Sequence, residues 1–415
     1  MVRSISSVAL LRAFTSQSFV LIWSGQTFSR VGDFLYQVAL AWWLLEKTGS
    51  ASTMAAVMIF SMAPMLLFLL IGGVAVDRYS RIHIMLISDL VRGLVVSLIA
   101  VLAFFDRLEI WHLYSLNILF GLVDAFFHPA YAAVLPESVP AADLSSANSL
   151  SSLSMQAGRI LGPALGAGMV MLGGTALALA CNGLTFFIAA TFLVPLVLGR
   201  VVPAGTSPQT RSADSAFADL RAGIATVLQT PWLWITILLF CLINVTLAGP
   251  YSVALPFLVK DTWQADVATL GLLYTIFPIG YVLGGVWLGS QRVIRQRGFL
   301  IYGGAAVAGL MLGLFGFPLP LFLLCIAALL NGAALEMGNL AWINALQEFV
   351  PQEKLGRVSS VEGLGSFALI PIGYGITGWA TDWLGAPLVF SIGGGLTALI
   401  AIIIFVARSA LRSLD

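Results

Sequence analysis

The sequence predicts an all-α integral membrane protein with twelve transmembrane helices, arranged as two similar six-helix bundles. Composition, an internal repeat and the distribution of charge favour this class. Of the 415 residues, 59% are hydrophobic and 9% are charged, and the mean hydropathy is +0.98. Soluble domains carry roughly 25% charged residues. A soluble chain has no way to cover so much apolar surface, so most of this chain must face lipid or other helices.

The internal repeat is visible at two landmarks. Gly72-Gly73-Val74 ends one apolar stretch, and Gly284-Gly285-Val286 ends another 212 positions later. Glu137 begins the sequence Glu-Ser-Val-Pro, and Glu348 begins Glu-Phe-Val-Pro 211 positions later. Many secondary transporters contain duplicated helical halves, with the binding site near the bilayer midplane. We therefore expect bundles at 1–199 and 231–415, joined by a cytoplasmic linker at 200–230.

Each predicted span contains the roughly 20 mostly apolar residues that a transmembrane helix needs. The spans of the first half are 17–45, 51–74, 82–105, 110–135, 145–172 and 175–199. Those of the second half are 231–257, 267–289, 298–316, 319–347, 355–380 and 386–408. The linker is rich in Pro, Gly and polar residues, and Asp219 to Gln229 is predicted to form a short surface helix within it.

Basic residues predict the orientation, because Lys and Arg accumulate on cytoplasmic loops. With both termini inside, fourteen of the 20 basic residues lie in cytoplasmic segments, and only Lys47, Arg107 and Lys260 lie outside. The remaining three, Arg30, Arg92 and Arg159, fall within spans. The scarcity of lysine suggests a GC-rich genome, so we expect the inner membrane of a bacterium.

Polar side chains form stripes on three spans of the first half, which predicts a shared polar interior. The stripes are Gln26, Arg30, Asp33 and Gln37 on the first span, Asn117, Gly121, Asp124, His128 and Tyr131 on the fourth, and Ser149, Ser152, Gln156 and Arg159 on the fifth. At 1.5 Å rise per residue, the depths match for Asp33 with Arg159 and for Arg30 with Asp124. We expect these two ion pairs, and a structural pair between Asp89 and Arg92 near the loop that follows the second span. His128 is either a proton relay or simply hydrogen-bonded.

The second half holds fewer buried charges. Glu336 lies deep in the tenth span with Asn339 one turn away, and Glu362 lies on the eleventh. Because this half has no base at the depth of Glu336, that carboxylate is our first candidate for proton coupling, ahead of Asp33, Asp124 and Glu362. Hydrogen bonding within helix packing is the alternative role. Asn244 and Asn339 complete the candidates for contact with a substrate.

The loop after the second span carries a known signature. Gly73-Val74-Ala75-Val76-Asp77-Arg78-Tyr79-Ser80-Arg81 resembles the G-x-x-x-D-R-x-x-R loop of the major facilitator superfamily. The glycine is expected to allow close helix approach. We expect a gate in which Asp77 faces the start of the eleventh span, near Leu355 to Val358, because the N-terminus of a helix attracts an anion. Arg81 is expected to pair with Glu137.

Further motifs are more specific. Phe126-Phe127-His128-Pro129-Ala130, Leu135-Pro136-Glu137-Ser138-Val139-Pro140 and Ala147-Asn148-Ser149-Leu150 resemble the third drug:proton antiporter family, the macrolide-efflux-like group that includes enterobactin exporters. Gly158-x-x-x-Gly162-Pro163-x-x-Gly166 resembles the antiporter motif of the fifth helix. Its small residues are expected to permit close packing, and its proline a bend.

The resemblance implies a secondary active transporter, with proton-coupled efflux of amphipathic, drug-like molecules by alternating access as the leading hypothesis. Transport of a lipid, lysolipid or siderophore is the alternative within this fold, and sugar or nutrient uptake a less favoured one. A membrane-embedded enzyme or a receptor is disfavoured, because the three histidines accompany no catalytic or metal-ligand set. We expect no cofactor or metal, with the proton gradient as the energy source. The expected partners are a small-molecule substrate, protons and lipids, without nucleic acid, and the expected state is a monomer.

Overall fold

The computed structural model describes residues 9–201, 213–291 and 293–407, and the regular structure in these ranges is helical. The linker stretch 202–212 and Arg292 lie outside the described residues. So do four other basic residues counted for the orientation, Arg3, Arg211, Arg408 and Arg412.

The first half contains six long helices. A 3-10 segment at Ala9–Thr15 precedes α1 (Gln17–Thr48), α2 (Ala51–Arg78), α3 (Arg81–Phe104) and α4 (Ile110–Glu137). The helical stretch Leu144–Val197 is interrupted at Gly173 and Gly174, where the backbone is not helical. It therefore consists of two helices, α5 (144–172) and α6 (175–197).

The second half also contains six spans, after a linker helix at Ala213–Gln229. They are α7 (Pro231–Thr262), α8 (Val267–Gly289), α9 (Phe299–Gly316), α10 (Leu321–Phe349), α11 (Gln352–Ala368 and Ile370–Leu384) and α12 (Ala386–Ala407). Leu369 interrupts α11, in front of Pro371. The linker helix extends further toward the N-terminus than predicted. It packs on α11, where a methyl group on Gly223 would lie 2.6 Å from the Arg357 carbonyl oxygen.

Length and hydropathy identify nine stretches in the described ranges that are able to span a membrane. One of these is the 57-residue stretch Ala141–Val197, which holds both α5 and α6. With α1 and the interrupted α11, these stretches account for the twelve predicted spans. The all-α membrane fold predicted from the sequence is therefore confirmed.

Glycine contacts define how α1 packs against α5 and α6. A methyl group on Gly158 would touch Arg30, and one on Gly166 would touch Leu35, so α1 and α5 run parallel. Gly25 faces Ala189 and Gly32 faces Asn182, so α1 and α6 run antiparallel. At Gly162 the methyl group would lie 2.4 Å from the Cβ of Phe34. The expected close packing of the fifth-helix glycines is thus confirmed.

The chain forms two compact units. One holds the residues up to Trp43 together with the chain from Val57 to the linker, and the other holds Leu44–Ala56 together with the chain after the linker. Within the second unit, the Asp382 carboxylate accepts hydrogen bonds from the backbone N–H groups of Ala51 (2.7 Å) and Ser52 (3.0 Å) and from the Ser50 hydroxyl (3.1 Å). These bonds satisfy donors that the first turn of α2 leaves unpaired. The predicted domain boundaries at 199 and 231 stay a prediction.

Candidate functional site

The interior of the first unit contains an acidic cluster built around Arg92 of α3. The Arg92 guanidinium donates from Nη2 to Asp89 Oδ1 at 2.5 Å and from Nη1 to Asp124 Oδ1 of α4 at 2.9 Å. Gln26 of α1 donates to the other oxygen of Asp89 at 3.0 Å. The side chains of Asp89 and Arg92 are 0% and 3% exposed, so both charges are removed from solvent. Three helices are joined at this point.

Asp33 is the third carboxylate of this cluster. It is half-buried, and it interacts electrostatically with Arg92, Asp124, Asp89 and His128. His128 Nε2 lies 3.6 Å from Asp124 Oδ2, with the ring 57% exposed. We call Asp33, Asp89, Asp124 and Arg92 the acidic cluster. In this cluster two carboxylates pair with one guanidinium, and a third interacts with it electrostatically.

The predicted ion pair between Arg30 and Asp124 is wrong. Asp124 pairs with Arg92, whereas Arg30 reaches across to α5, where Nη1 donates to the Ser151 carbonyl oxygen (2.9 Å) and to Ser154 Oγ (2.6 Å). The second prediction is also wrong, since no ion pair in the described ranges joins Asp33 to Arg159. Matched depth was an insufficient criterion, because it ignored α3, whose arginine is oriented toward α4.

The pair Asp89–Arg92 is confirmed, but its setting differs from the expected one. It was assigned to a structural position near the loop after α2, and it instead lies at the centre of the acidic cluster. The guanidinium also contacts aromatic rings, at 3.9 Å from the centroid of Phe127 and 4.7 Å from that of Phe186. The sequence contained a signal for this interior location. Asp89 and Arg92 lie in the middle of an apolar helix, where charged side chains are costly unless they face polar partners.

Arg30 lies over the ring of Tyr131, 4.9 Å from its centroid. The Tyr131 hydroxyl donates to Ser151 Oγ at 3.2 Å, which fixes the ring against α5. The structure therefore brings together two predicted substrate-contact residues, Arg30 and Tyr131, with α5.

Other predicted candidates in the first unit have less informative surroundings. The Asn117 amide is buried and donates to the Leu113 carbonyl oxygen of its own helix at 2.9 Å. The Gln156 Oε1 atom is buried without a hydrogen-bond partner in the described part of the chain. Gln37 is half-buried. Arg159 is also half-buried and engaged in interactions of its own.

The second unit contains the other two predicted coupling residues, Glu336 and Glu362. The Asn339 amide donates to Glu336 Oε2 at 3.1 Å and to the Tyr281 hydroxyl at 3.2 Å. Glu336 thus takes part in a polar contact within α10, which is compatible with either role predicted for it. Asn244 of α7 donates to the Ser366 carbonyl oxygen at 2.8 Å.

A cavity of about 210 Å³ lies between α10 and α11 in the same unit. Its lining includes Asn339 and Glu362, two of the predicted candidates, together with Trp342 and Ser359. The Glu362 carboxylate accepts a long hydrogen bond from Ser366, at 3.5 Å. Glu336 is not among the lining residues of this cavity.

The gating motif is confirmed in one contact and corrected in another. Arg81 and Glu137 form the predicted ion pair. Gly73 does not provide the expected close helix approach, since nothing in the described ranges lies within 4 Å of a methyl group placed there. Its neighbour Gly72 has that role, with the Ala125 carbonyl oxygen at 2.1 Å from such a group. Asp77 and Arg78 end α2, and the contact of Asp77 with α11 stays a prediction.

The corresponding ion pair of the second half was missed. Arg297 Nη2 lies 2.5 Å from Glu348 Oε2, and Arg297 Nε donates to Asn344 Oδ1 at 2.8 Å. The signal was present in the repeat, because Glu348 is the counterpart of Glu137. Arg297 escaped notice because it stands four residues past the position equivalent to Arg81.

Twelve helical spans in the described ranges, together with the loop signature and its ion pair, are typical of a membrane transporter of the major facilitator superfamily. The chain belongs to the transmembrane secretion effector family, whose model matches residues 6–415. Comparison with solved structures agrees on the fold. The nucleoside transporter NupG superposes with a TM-score of 0.72 at 12% identity, covering 94% of this chain and 98% of the other. A bacterial homologue of the iron transporter ferroportin also gives 0.72, at 16% identity, over 94% and 99%.

Several curated relatives are efflux proteins. Macrolide efflux protein A of Streptococcus pyogenes is 26% identical over 389 residues, 93% of this chain and 94% of the relative. The multidrug efflux pump Tap of Mycolicibacterium fortuitum is 29% identical over 402 residues, covering 92% and 94%. The enterobactin exporter EntS of Escherichia coli is 28% identical over 298 residues, covering 71% and 68%. The chain is therefore a multi-pass membrane transporter with efflux proteins among its relatives.

Proposed function

We propose that the protein exports amphipathic small molecules in exchange for protons, by alternating access. The acidic cluster is the observation that carries this proposal. Asp89 and Asp124 pair with a single guanidinium, that of Arg92, and Asp33 lies near enough to interact with it electrostatically. With all three carboxylates ionised, the cluster would carry a net charge of −2 away from bulk water. Burial of uncompensated charge is costly, and a proton is the smallest ion that relieves it.

The surroundings of the cluster support proton exchange with solvent. Asp124 is 18% exposed, and the neighbouring His128 ring is 57% exposed, whereas Asp89 is fully buried. A proton is thus able to reach Asp124 or Asp33 while the pair Asp89–Arg92 stays intact. We assign the coupling role to Asp33 and Asp124 first and to Glu336 and Glu362 second. This order reverses the one predicted from the sequence.

The efflux direction, the substrate class and the orientation rest on the relatives and on the charge distribution. The relatives are named for macrolide, multidrug and enterobactin efflux. We propose location in the inner membrane of a bacterium with both termini in the cytoplasm, from the fourteen basic residues predicted on that side. Function as a monomer, with the proton gradient as the energy source and no cofactor, is part of the same proposal.

The test is a proton-flux measurement in proteoliposomes containing a pH-sensitive dye. Adding a macrolide or enterobactin, in separate runs, to the wild-type protein should move protons in proportion to the substrate transported. Asp33→Asn and Asp124→Asn should abolish that proton movement, and Glu336→Gln should leave most of it. Asp266→Asn, at an exposed N-cap of α8 that asparagine also serves well, is the matched control. Transport of either substrate without any proton movement in the wild type would contradict coupling.

A further inference from the structure

The guanidinium of Arg30 is satisfied by the protein at only one of its three nitrogen atoms. Its hydrogen bonds in the described ranges all leave from Nη1, to the Ser151 carbonyl oxygen and Ser154 Oγ. Neither acceptor carries a negative charge. Nε and Nη2 have no acceptor there, yet they do not belong to the buried polar atoms that lack a partner. These two donors are therefore accessible from outside the protein.

Arg30 is also held in place before any ligand arrives. Its guanidinium packs on the Tyr131 ring at 4.9 Å, and Tyr131 is fixed by its hydroxyl to Ser151. The backbone of Arg30 lies against Gly158 of α5, where a methyl group would be 3.4 Å from its carbonyl oxygen. A fixed side chain loses little conformational entropy on binding. Cation–π contact stabilises the guanidinium without cancelling its charge.

No acid in the described ranges forms an ion pair with Arg30. Asp89 and Asp124 are bound to Arg92 instead. A half-buried cation without a counterion is costly. A ligand that brings a negative charge would therefore bind Arg30 with a favourable electrostatic interaction that the protein itself does not supply.

We propose that Arg30 binds an anionic group of the transported molecule: a carboxylate, a phosphate or an acidic phenol. The accessible Nε and Nη2 form one edge of the guanidinium, and this edge matches the two oxygens of a carboxylate or phosphate in a bidentate arrangement. The Tyr131 ring offers an aromatic surface beside that edge, which suits an apolar body attached to the anion. This assignment rests on the proposed function, because it names the chemistry of one part of the substrate.

The experiment uses three pyrene probes with the same apolar body: 1-pyrenebutyrate, the neutral 1-pyrenebutyramide and the cationic 1-pyrenebutylamine. Binding is measured by energy transfer from tryptophan to pyrene, with the full chain in phosphatidylcholine nanodiscs and no proton gradient. The wild-type protein should bind the carboxylate about tenfold more tightly than the amide, as a charge-assisted bidentate contact predicts, and the amine more weakly than both.

Arg30→Gln should remove the preference for the carboxylate, and Arg30→Lys should keep only part of it, because lysine lacks the planar fork. Arg12→Gln, at an exposed position before α1, should leave the preference unchanged. If the glutamine variant fails to fold, the lysine variant decides. A wild-type protein without the preference, or an Arg30 variant that retains all of it, overturns the proposal.

A second arm separates a solute from a lipid headgroup. The binding of 1-pyrenebutyrate is measured with and without phosphatidylglycerol in the nanodiscs, for the wild type and for Arg30→Gln. If the ligand of Arg30 is a solute, the lipid should affect both proteins equally. Selective loss in the wild type would identify a lipid phosphate as the occupant and would overturn the role in substrate recognition. Because no gradient is present, a failure of proton coupling leaves this measurement unaffected. A lack of anion preference likewise leaves the proton-flux test valid.

Discussion

Glu137 and Glu348 occupy equivalent positions in the two halves, and each forms an ion pair with an arginine from the start of the preceding helix in its own half. Arg81 is the first residue of α3, and Arg297 stands two residues before α9. The pairs tie the beginning of α3 to the end of α4, and the beginning of α9 to the end of α10. The duplication therefore preserves an interaction as well as a pattern of helices.

The two pairs should differ in strength. Arg81 and Glu137 are 13% and 16% exposed, whereas Arg297 is 7% and Glu348 54% exposed. Water screens an exposed partner, so we expect Glu137→Gln to lower the stability by about 1–3 kcal/mol and Glu348→Gln by less. Thermal unfolding in detergent measures both, with the exposed Glu353→Gln as control. Equal losses for both pairs, or losses no larger than in the control, would contradict the assignment.

Removal of Arg92 should be the most damaging single change in the first unit. Arg92→Met leaves Asp89, Asp124 and Asp33 without their shared cation, and breaking a buried ion pair costs about 3–5 kcal/mol. Asp33→Asn should be tolerated, because Asp33 makes no direct ion pair in the described ranges. The yield of monodisperse protein and its melting temperature give the comparison. An Arg92→Met protein as stable as Asp33→Asn would refute the role of Arg92 as the common partner.

The glycine face of α5 provides a prediction with an internal control. Gly162→Ala would place a methyl group 2.4 Å from Phe34 Cβ and 2.9 Å from the Val31 carbonyl oxygen, so α1 and α5 must separate. We expect reduced stability and weaker binding of any ligand that contacts Arg30. Gly168→Ala on the same helix meets nothing within 4 Å in the described ranges and should be neutral or slightly stabilising. Similar behaviour of the two variants would show that the close approach has no consequence.

Asp382 predicts a pH dependence in the second unit. It lies in the last turn of α11, past the end of the membrane span predicted at residue 380. Burial by itself would raise the pKa of this carboxyl, but hydrogen bonds from Ser52, Ala51 and Ser50 outweigh burial and hold the pKa below its usual value. A lowered pKa in the folded state means that the stabilisation is complete above the unfolded value of about 3.9 and disappears as the pH falls through the folded value.

Asp382→Asn should therefore reduce the stability by about 1 kcal/mol at neutral pH, the usual effect of losing a helix cap. The difference from the wild type should be constant from about pH 5 to 8 and should shrink below about pH 4. Melting temperatures of the two proteins across this range provide the measurement. A difference that grows on acidification would have the wrong sign and would reject the explanation.

The helices were predictable because the apolar stretches are long and polar, Gly or Pro residues mark their ends. For α8 the predicted bounds agree with the observed Val267–Gly289 at both ends. The pair Arg81–Glu137 was predictable because a loop motif and a repeat both indicated it. The partners of Arg92 and Arg30 were not, because depth along a helix says nothing about the direction in which its side chain points. That direction depends on the rotation of each helix about its axis, which is a property of packing. Gly72 and Gly73 illustrate the same limit. They are adjacent and point in different directions from the α2 axis, so the rotation of α2 decides which of them contacts α4.

The turn between α5 and α6 has a mechanical consequence. The two helices are antiparallel, and the chain reverses over Gly173 and Gly174 alone, with Gly174 at φ +74° and ψ 178°, a conformation that only glycine adopts readily. A connection of two residues is too short for one helix to slide past the other. Any displacement of α5 must therefore move α6 with it as one rigid body. Ser151, Ser154 and the glycine face would then travel together as a preassembled half of the Arg30 site.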